Sequence, residues 1–363
     1  MSRRIIIAGG GTGGHIFPAI AIANALKKKD NSIEILFVGA KGKMEMEKVP
    51  QAGYKIEGLD IAGFSRSSLI KNIGLPFKLV KSFLQVNKIV NRFKPDAVIG
   101  VGGYSSFPVL KFAQAKRIPT FIHESNSFAG KSNMLLGKKA TKVFVAIDGM
   151  EKFFPADKIL ITGNPVRAAI ANASAGRTEA IKFFSLDETK KTVLIVGGSL
   201  GAKSINEAVD MHLDEILRED LQLIWQTGKP YAAIAMKRCE GKKGVWVNEF
   251  ITQMENAYAA ADIVVARSGA MTVAELCVVK KPVVFIPFPF AAEDHQTVNA
   301  KRLVEKDAAM MFNDREVKEK LLAVLIYLAG DNDKRQQLKN NIGALGVKDA
   351  DSKIADEILK ILN

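Results

Sequence analysis

An α/β protein built on two parallel sheets is what this sequence predicts, and three features carry that prediction. Short, almost purely apolar runs alternate with stretches of helical pattern along the whole chain. The runs are apolar throughout rather than at every second residue, which suits parallel strands covered on both faces. Finally, the opening motif IIIAGGGTGGH (residues 5–15) is echoed by VLIVGGSLGAKS (residues 193–204), each a strand feeding a glycine-rich turn and then a helix. Two sequential units of this kind imply two similar Rossmann-like domains facing each other.

The first half reads as strands over residues 5–8, 33–38, 97–101, 120–122, 143–146 and 159–161, with helices between them, for example over 18–29 and 77–93. In the second half, strands are expected over 193–196, 221–225, 245–247, 263–266 and 283–286. A linker is expected near residues 163–176, where Gly-Asn-Pro is followed by a run of small residues. Only helical pattern remains from residue 317 onward, and the last helix, roughly 351–362, is free to pack on either domain. The expected domains are therefore residues 1–164 and 165–344, with a helical tail of about 345–363 that has the first domain as one docking place.

Composition agrees. The 363 residues suggest two domains at about 150 residues each. With 48% hydrophobic and 25% charged residues, the chain is neither disordered nor collagen-like. Cys239 and Cys277 are too few for a disulfide framework or a cysteine-based zinc site, and they fit a reducing compartment. No apolar run reaches about 18 residues, so no spanning helix is expected. Arg3 and Arg4 before an apolar stretch imitate a secretory signal, but the loop at residues 9–14 breaks the apolar centre such a signal needs.

The formal charge of +14 is unevenly spread. Residues 61–94 hold Arg66, Lys71, Lys78, Lys81, Lys88, Arg92 and Lys94 and no acidic residue. At 100° per residue, Lys78, Lys81, Lys88 and Arg92 fall within an arc of roughly 80°. Phe77, Leu79, Val80, Phe83, Leu84, Val86 and Val90 fill much of the rest. A basic stripe beside apolar residues suits an anionic membrane surface, to which Phe64, Leu69 and Ile70 of the preceding loop would add contacts. The competing reading is a solvated face on a core helix. No nucleic-acid motif and no basic–aromatic interleaving appear, so no nucleic-acid partner is expected.

Several segments have the makings of a site. Gly9, Gly11 and Gly14 have the spacing of a phosphate-binding turn, but the next strand ends Phe37-Val38-Gly39 without the carboxylate a dinucleotide requires. Gly197, Lys203 and Ser204 approach a P-loop, yet Ala202 replaces its second glycine. Of the four histidines, His15 directly follows the first glycine loop, where a general base would sit, though a loop-ordering role competes. His123 closes a strand and His295 lies in Glu-Asp-His-Gln, whereas His212 reads as structural. Asp331–Asp333 and Asp349–Asp351 are D-x-D triplets in a polar helical region, better read as helix ends than as a metal site. Arg267-Ser268-Gly269-Ala270 follows a strand and opens a helix, a place for a diphosphate, and Glu275 one turn later could accept from ribose hydroxyls. Glu293–Gln296 is a polar cluster suited to sugar hydroxyls; for both segments a purely structural helix-end role competes.

Six motifs in order now carry a resemblance: GGGTGGH at 9–15, HESN at 123–126, TGNPVR at 162–167, GGSLGA at 197–202, RSGAMTVAE at 267–275 and DHQTVNA at 294–300. Over essentially its whole length the chain resembles the MurG family of UDP-N-acetylglucosamine:N-acetylmuramyl-(pentapeptide) pyrophosphoryl-undecaprenol N-acetylglucosaminyltransferases. The resemblance implies a GT-B fold, two Rossmann-like domains with parallel sheets facing a cleft. It implies inverting transfer of GlcNAc from UDP-GlcNAc to lipid I, giving lipid II and UDP for peptidoglycan. It further implies peripheral attachment to the inner face of the plasma membrane, other wall-synthesis proteins as partners, no resident cofactor and no obligate metal.

By the same resemblance, Thr12, Gly13 and Gly14 match the loop facing the donor and the acceptor diphosphate. Asn126 matches the asparagine of the family's HEQN motif, and Arg167 a donor-binding arginine. Ser199 matches the serine of the second glycine loop, and Ile251 a backbone contact to uracil. Ala270, Met271, Thr272, Val273, Ala274 and Glu275 match the diphosphate and ribose segment, and Gln296 a donor-sugar glutamine. Ser125, Leu200 and Thr297 stand where the family often has glutamine, which alters fine donor contacts.

Overall fold

The computed structural model describes residues 2–63, 75–173, 176–198 and 200–363. The chain divides into two compact units, Met1–Arg167 with Asp349–Asn363, and Ala168–Lys348.

The first unit runs β1 (Arg4–Ala8), α1 (Gly13–Lys29), β2 (Glu34–Ala40), α2 (Glu45–Gln51), β3 (Lys55–Leu59), α3 (Leu75–Phe93), β4 (Ala97–Gly100), α4 (Ser106–Ala115), β5 (Thr120–Glu124), α5 (Lys131–Gly137), β6 (Lys142–Val145) and β7 (Ile159–Ile161). Its seven strands are all parallel, in the order β3-β2-β1-β4-β5-β6-β7. The order reverses between β1 and β4, so the loops after these two strands flank the switch point where open α/β sheets bind ligands. Alternate residues of β1 serve opposite faces: Ile6 and Ala8 join one apolar layer, Ile5 and Ile7 the other. Burial on both faces is why this strand has no polar alternation.

The second unit runs α6 (Ala168–Ala171), α7 (Arg177–Phe183), β8 (Lys191–Val196), α8 (Lys203–Arg218), β9 (Leu221–Gln226), α9 (Lys229–Cys239), β10 (Val245–Asn248), α10 (Met254–Ala260), β11 (Ile263–Ala266), α11 (Ala270–Val279), β12 (Val283–Phe285), α12 (His295–Val304), β13 (Met310–Met311), α13 (Val317–Gly330) and α14 (Asn332–Ala344). The strand order β10-β9-β8-β11-β12-β13 puts its switch point between β8 and β11. Here the flanking loops are the second glycine loop and the segment that opens α11.

The chain ends in α15 (Ala350–Leu362), which returns to the first unit. Ile354, Ala355 and Ile358 are buried with Ile16 and Ile22 of α1, and Asp356 pairs with Lys29 at 2.6 Å. An apolar stripe at helical spacing thus covers one face of α1.

Three elements depart from the sequence reading. β3 is an edge strand with Lys55 and Glu57 in it, so it lacks the continuous apolar run of the others. β13 has only two residues. α1 begins at Gly13 rather than at Pro18, and Pro18 inside the helix forfeits the bond to the Gly14 carbonyl.

Candidate active site

In the first unit, the loops after β1 and β4 press against each other. A Cβ on Gly103 would lie 2.4 Å from the Gly10 carbonyl oxygen, so no side chain fits there. The N–H of Gly11, which the glycine spacing suggested for a phosphate, already donates to the Glu45 carboxylate at 2.8 Å. Thr12 caps α1 only through its backbone, and among the described residues no side chain caps this helix and its first turn holds no acid. A helix start of this kind, formed by Gly13 and Gly14, has the polarity that favours an anion.

His15 sits in that same first turn, half-buried. Its Nδ1 lies 3.1 Å from the Gly10 carbonyl oxygen and 3.4 Å from the Thr12 hydroxyl. A Cβ on Gly102 would stand 2.8 Å from the His15 ring, and Gly102 has φ +95°, a conformation that favours glycine. Gly102→Ala is therefore expected to displace the imidazole, lowering turnover about tenfold or more while leaving the fold intact. Steady-state kinetics beside a circular dichroism spectrum check this; unchanged turnover in a folded variant would refute it.

His123 on β5 is wholly buried, and its pKa is pushed down to about 4, first by burial and secondarily by the neighbouring His15. An unfolded histidine takes up its proton near 6.5, while the folded one resists until about pH 4, so stability is lost as pH falls through this window. The contribution is about 3 kcal/mol. Urea unfolding of the wild type at successive pH values between these limits is expected to fall more steeply than that of His123→Gln. Equal slopes would remove the assignment.

Asn126 turns back on its own motif. Its backbone N–H and its side-chain amide donate to Glu124 Oε1 at 3.0 and 3.3 Å, while Glu124 Oε2 accepts from Gly130 N–H and Asn133. Sequence reading missed Glu124 as the organiser of this loop, although an acid ending an apolar strand was the available signal. Ser125 approaches His123 Nδ1 at 3.5 Å. Arg167 falls in the first unit, its guanidinium 4.9 Å from the centre of the Phe17 ring.

In the second unit, Ser199 lies outside the described residues. Lys203 pairs loosely with Glu207 at 3.6 Å, and Ser204 donates to Asp314. The Ile251 N–H donates to Gln226 Oε1 at 3.0 Å, and Gln226 Nε2 donates to the Gly198 carbonyl. The Ile251 N–H is thereby tied to the second glycine loop, which leaves the Ile251 carbonyl for the expected contact with a base.

α11 starts after Gly269 and, among the described residues, has no side-chain cap and no acid in its first turn. Its positive end is formed by Ala270, Met271 and Thr272, while the Val273 N–H already donates to the Gly269 carbonyl at 3.0 Å and Ala274 follows. Glu275 is buried and accepts from the Tyr258 hydroxyl at 3.0 Å. Arg267 turns inward, where it binds Asp314, Ser204 and the Ile286 and Pro287 carbonyls. Gln296 is held by both ends: its Oε1 accepts from Phe288 N–H, and its carbonyl accepts from Ser268. Thr297 donates to Asp294, and Leu200 is 80% exposed.

Both D-x-D triplets lie at helix starts, and Asp331 accepts from Lys334 N–H there. Among the described residues no group of three or more His, Cys, Asp or Glu is placed to hold a metal ion. His212 is bound to Glu215 and to the Lys318 carbonyl.

The basic stripe of α3 is partly neutralised. Lys81 pairs with Asp60 at 3.0 Å, and Arg92 pairs with Glu57. Lys78 and Lys88 stay exposed, and beside them Phe77, Val80 and Leu84 are 80%, 62% and 66% exposed and share one side of the helix. Phe64, Arg66, Leu69, Ile70 and Lys71 lie outside the described residues. Among those described, no helix is long and apolar enough to cross a membrane.

Two parallel sheets, each with a glycine-rich loop at its switch point, make a GT-B architecture, and likeness to known proteins places the chain among the glycosyltransferases of that class. The chain belongs to glycosyltransferase family 28, matching its N-terminal domain over residues 5–145 and its C-terminal domain over residues 192–354. It is 50% identical to the UDP-N-acetylglucosamine--N-acetylmuramyl-(pentapeptide) pyrophosphoryl-undecaprenol N-acetylglucosamine transferase of Parabacteroides distasonis, over 99% of this chain and 98% of that protein. Identity to the enzyme of the same name from Phocaeicola vulgatus is 51%, over 99% and 96%. The crystal structure of Acinetobacter baumannii MurG superimposes with a TM-score of 0.78 at 28% identity, covering 99% of both chains.

Proposed function

We propose that this chain transfers GlcNAc from UDP-GlcNAc to the C4 hydroxyl of MurNAc in lipid I, producing lipid II and UDP. The observation that carries the reading is the pairing of family motifs at both switch points: GGGTGGH at β1/β4, and GGSLGA with RSGAMTVAE at β8/β11. In this reading the first unit takes the acceptor and the second takes the donor.

The reaction is a single displacement with inversion. The acceptor oxygen attacks the anomeric carbon, the bond from that carbon to the UDP oxygen breaks, and the acceptor proton passes to His15. Charge growing on UDP meets the first turn of α11 and Arg167. Ile251 supplies the uracil contact, Glu275 the ribose contact, and Gln296 and Ser199 further donor contacts. Thr12, Gly13, Gly14 and Asn126 face the diphosphates and the reacting sugars. A helix end and an arginine do here the charge-balancing that a metal would otherwise do, so no obligate metal is assigned.

The test is UDP release from UDP-GlcNAc with and without a lipid I analogue, in EDTA. Acceptor-dependent release is expected. Donor consumption without acceptor would favour an epimerase or a hydrolase instead, and no turnover would leave a donor-binding protein.

The exposed face of α3 supports attachment to an anionic membrane on the cytoplasmic side, where lipid I and other wall-synthesis proteins would be met. Replacing Phe77, Val80 and Leu84 together by serine is expected to weaken binding to phosphatidylglycerol-containing vesicles about tenfold or more. Co-sedimentation reads this, and undiminished binding would move the contact elsewhere.

A further inference from the structure

Glu45, at the start of α2, has no part in the transfer as assigned so far, yet it is almost wholly buried at 1% exposure. A buried carboxylate is costly unless it is bound. This one is bound twice: Oε1 accepts from Ala40 N–H at 3.0 Å and Oε2 from Gly11 N–H at 2.8 Å. Two glycines make room for it. A Cβ on Gly10 would lie 2.3 Å from the Glu45 carboxyl, and one on Gly39 would lie 2.5 Å from Glu45 Cγ.

The peptide unit that Glu45 grips also touches His15. Its N–H belongs to Gly11, and its C=O, on Gly10, stands 3.1 Å from His15 Nδ1. A carbonyl oxygen only accepts, so Nδ1 is the donor in this contact and the basic lone pair is directed to Nε2. An anion on the N–H side of a peptide draws electron density toward its oxygen, which strengthens the bond that the oxygen accepts.

We infer that Glu45 is a positioning residue for His15, acting through the Gly10–Gly11 peptide. The peptide takes the place that direct contact has in a carboxylate–histidine pair. The inference rests on the reading of His15 as the base. Glu45 fixes the Nδ1–H tautomer, fixes the ring direction, and stabilises the imidazolium formed when the C4 hydroxyl gives up its proton. Other groups facing this pair are His123 on β5, the Thr12 hydroxyl, and Tyr104 after β4. His123 is held neutral, and the Tyr104 pKa is raised by burial and then by the Glu45 charge.

The experiment is nitrogen-15 NMR of histidine-labelled full-length protein, titrated from about pH 5 to 9. The His15 signal is assigned by its loss in His15→Gln. Neutral His15 is expected to carry its proton on Nδ1. In Glu45→Gln its pKa should fall by about half a pH unit or more. An amide offers one acceptor oxygen where two N–H groups need partners, so the loop loses one tie. The acid limb of the rate profile should move down with that pKa, kcat should drop about tenfold, and KM for UDP-GlcNAc should hold. A wild-type His15 protonated on Nε2, or an unchanged His15 pKa in folded Glu45→Gln, overturns the inference. If Glu45→Gln does not fold, the wild-type tautomer alone decides. These readings need no turnover, so they fail separately from the base assignment, which fails if His15→Gln leaves transfer intact.

Discussion

Replacing His15 by glutamine is expected to lower turnover about 10²- to 10⁴-fold, while UDP-GlcNAc binds as before. A sugar hydroxyl is a poor nucleophile until its proton is taken, so the loss of a positioned base falls on the chemical step. His15 belongs to the first unit, whereas most groups assigned to the donor nucleotide, Ile251 and Ala270–Glu275 among them, belong to the second. Removing the imidazole therefore leaves the donor contacts standing. Glutamine keeps a polar group near the Gly10 carbonyl, which limits damage to the loop. Isothermal titration with UDP-GlcNAc and steady-state rates with a lipid I analogue, measured on the same preparation, separate the two quantities. Affinity and turnover falling in parallel would make His15 a binding residue, and turnover near the wild-type value would require another base.

The sequence made the sheets legible because parallel strands buried on both faces leave uninterrupted apolar runs. β1 and β8 could be read directly from Ile5–Ile7 and Val193–Val196. β3 escaped because an edge strand keeps Lys55 and Glu57, and nothing local separates that pattern from a loop. The glycine loops were legible as loops, but not their partners. Glu45 opens a short helix after Met44, and no periodicity marks it as buried, since what buries it is the approach of Gly10 after β1 and Gly39 in β2. The stripe on α3 was legible as a spacing, yet two of its cations are answered by Asp60 and Glu57 from the β3 segment. Periodicity reports which face a residue occupies, and long-range pairing decides whether its charge is left over. Arg267 shows the same limit: its place after a strand suggested phosphate, and only the fold reveals an acid 47 positions later at its guanidinium.

That arginine carries the largest expected effect on stability. Its side chain is 10% exposed and that of Asp314 is 20% exposed, so the pair sits largely out of water. Burial pulls the Arg267 pKa below its ordinary value while Asp314 pulls it back, and the guanidinium stays charged either way. Removing one member of such a pair strands the other, at a cost of about 3–5 kcal/mol. Arg267→Met keeps the aliphatic length but leaves the Asp314 carboxylate with only the Ser204 hydroxyl of its two ties here, and it frees the Ile286 and Pro287 carbonyls. Urea unfolding at pH 7 should show the loss. Adding Asp314→Leu should recover part of it, because the stranded charge goes with it. The consequence reaches the site as well. Those carbonyls hold the exit of β12, where Phe288 N–H grips Gln296, so the single variant should also bind UDP-GlcNAc more weakly. A cost below about 1 kcal/mol would place the pair with exposed ion pairs. Arg267 would then have to be sought at the diphosphate, where its position after β11 first suggested it.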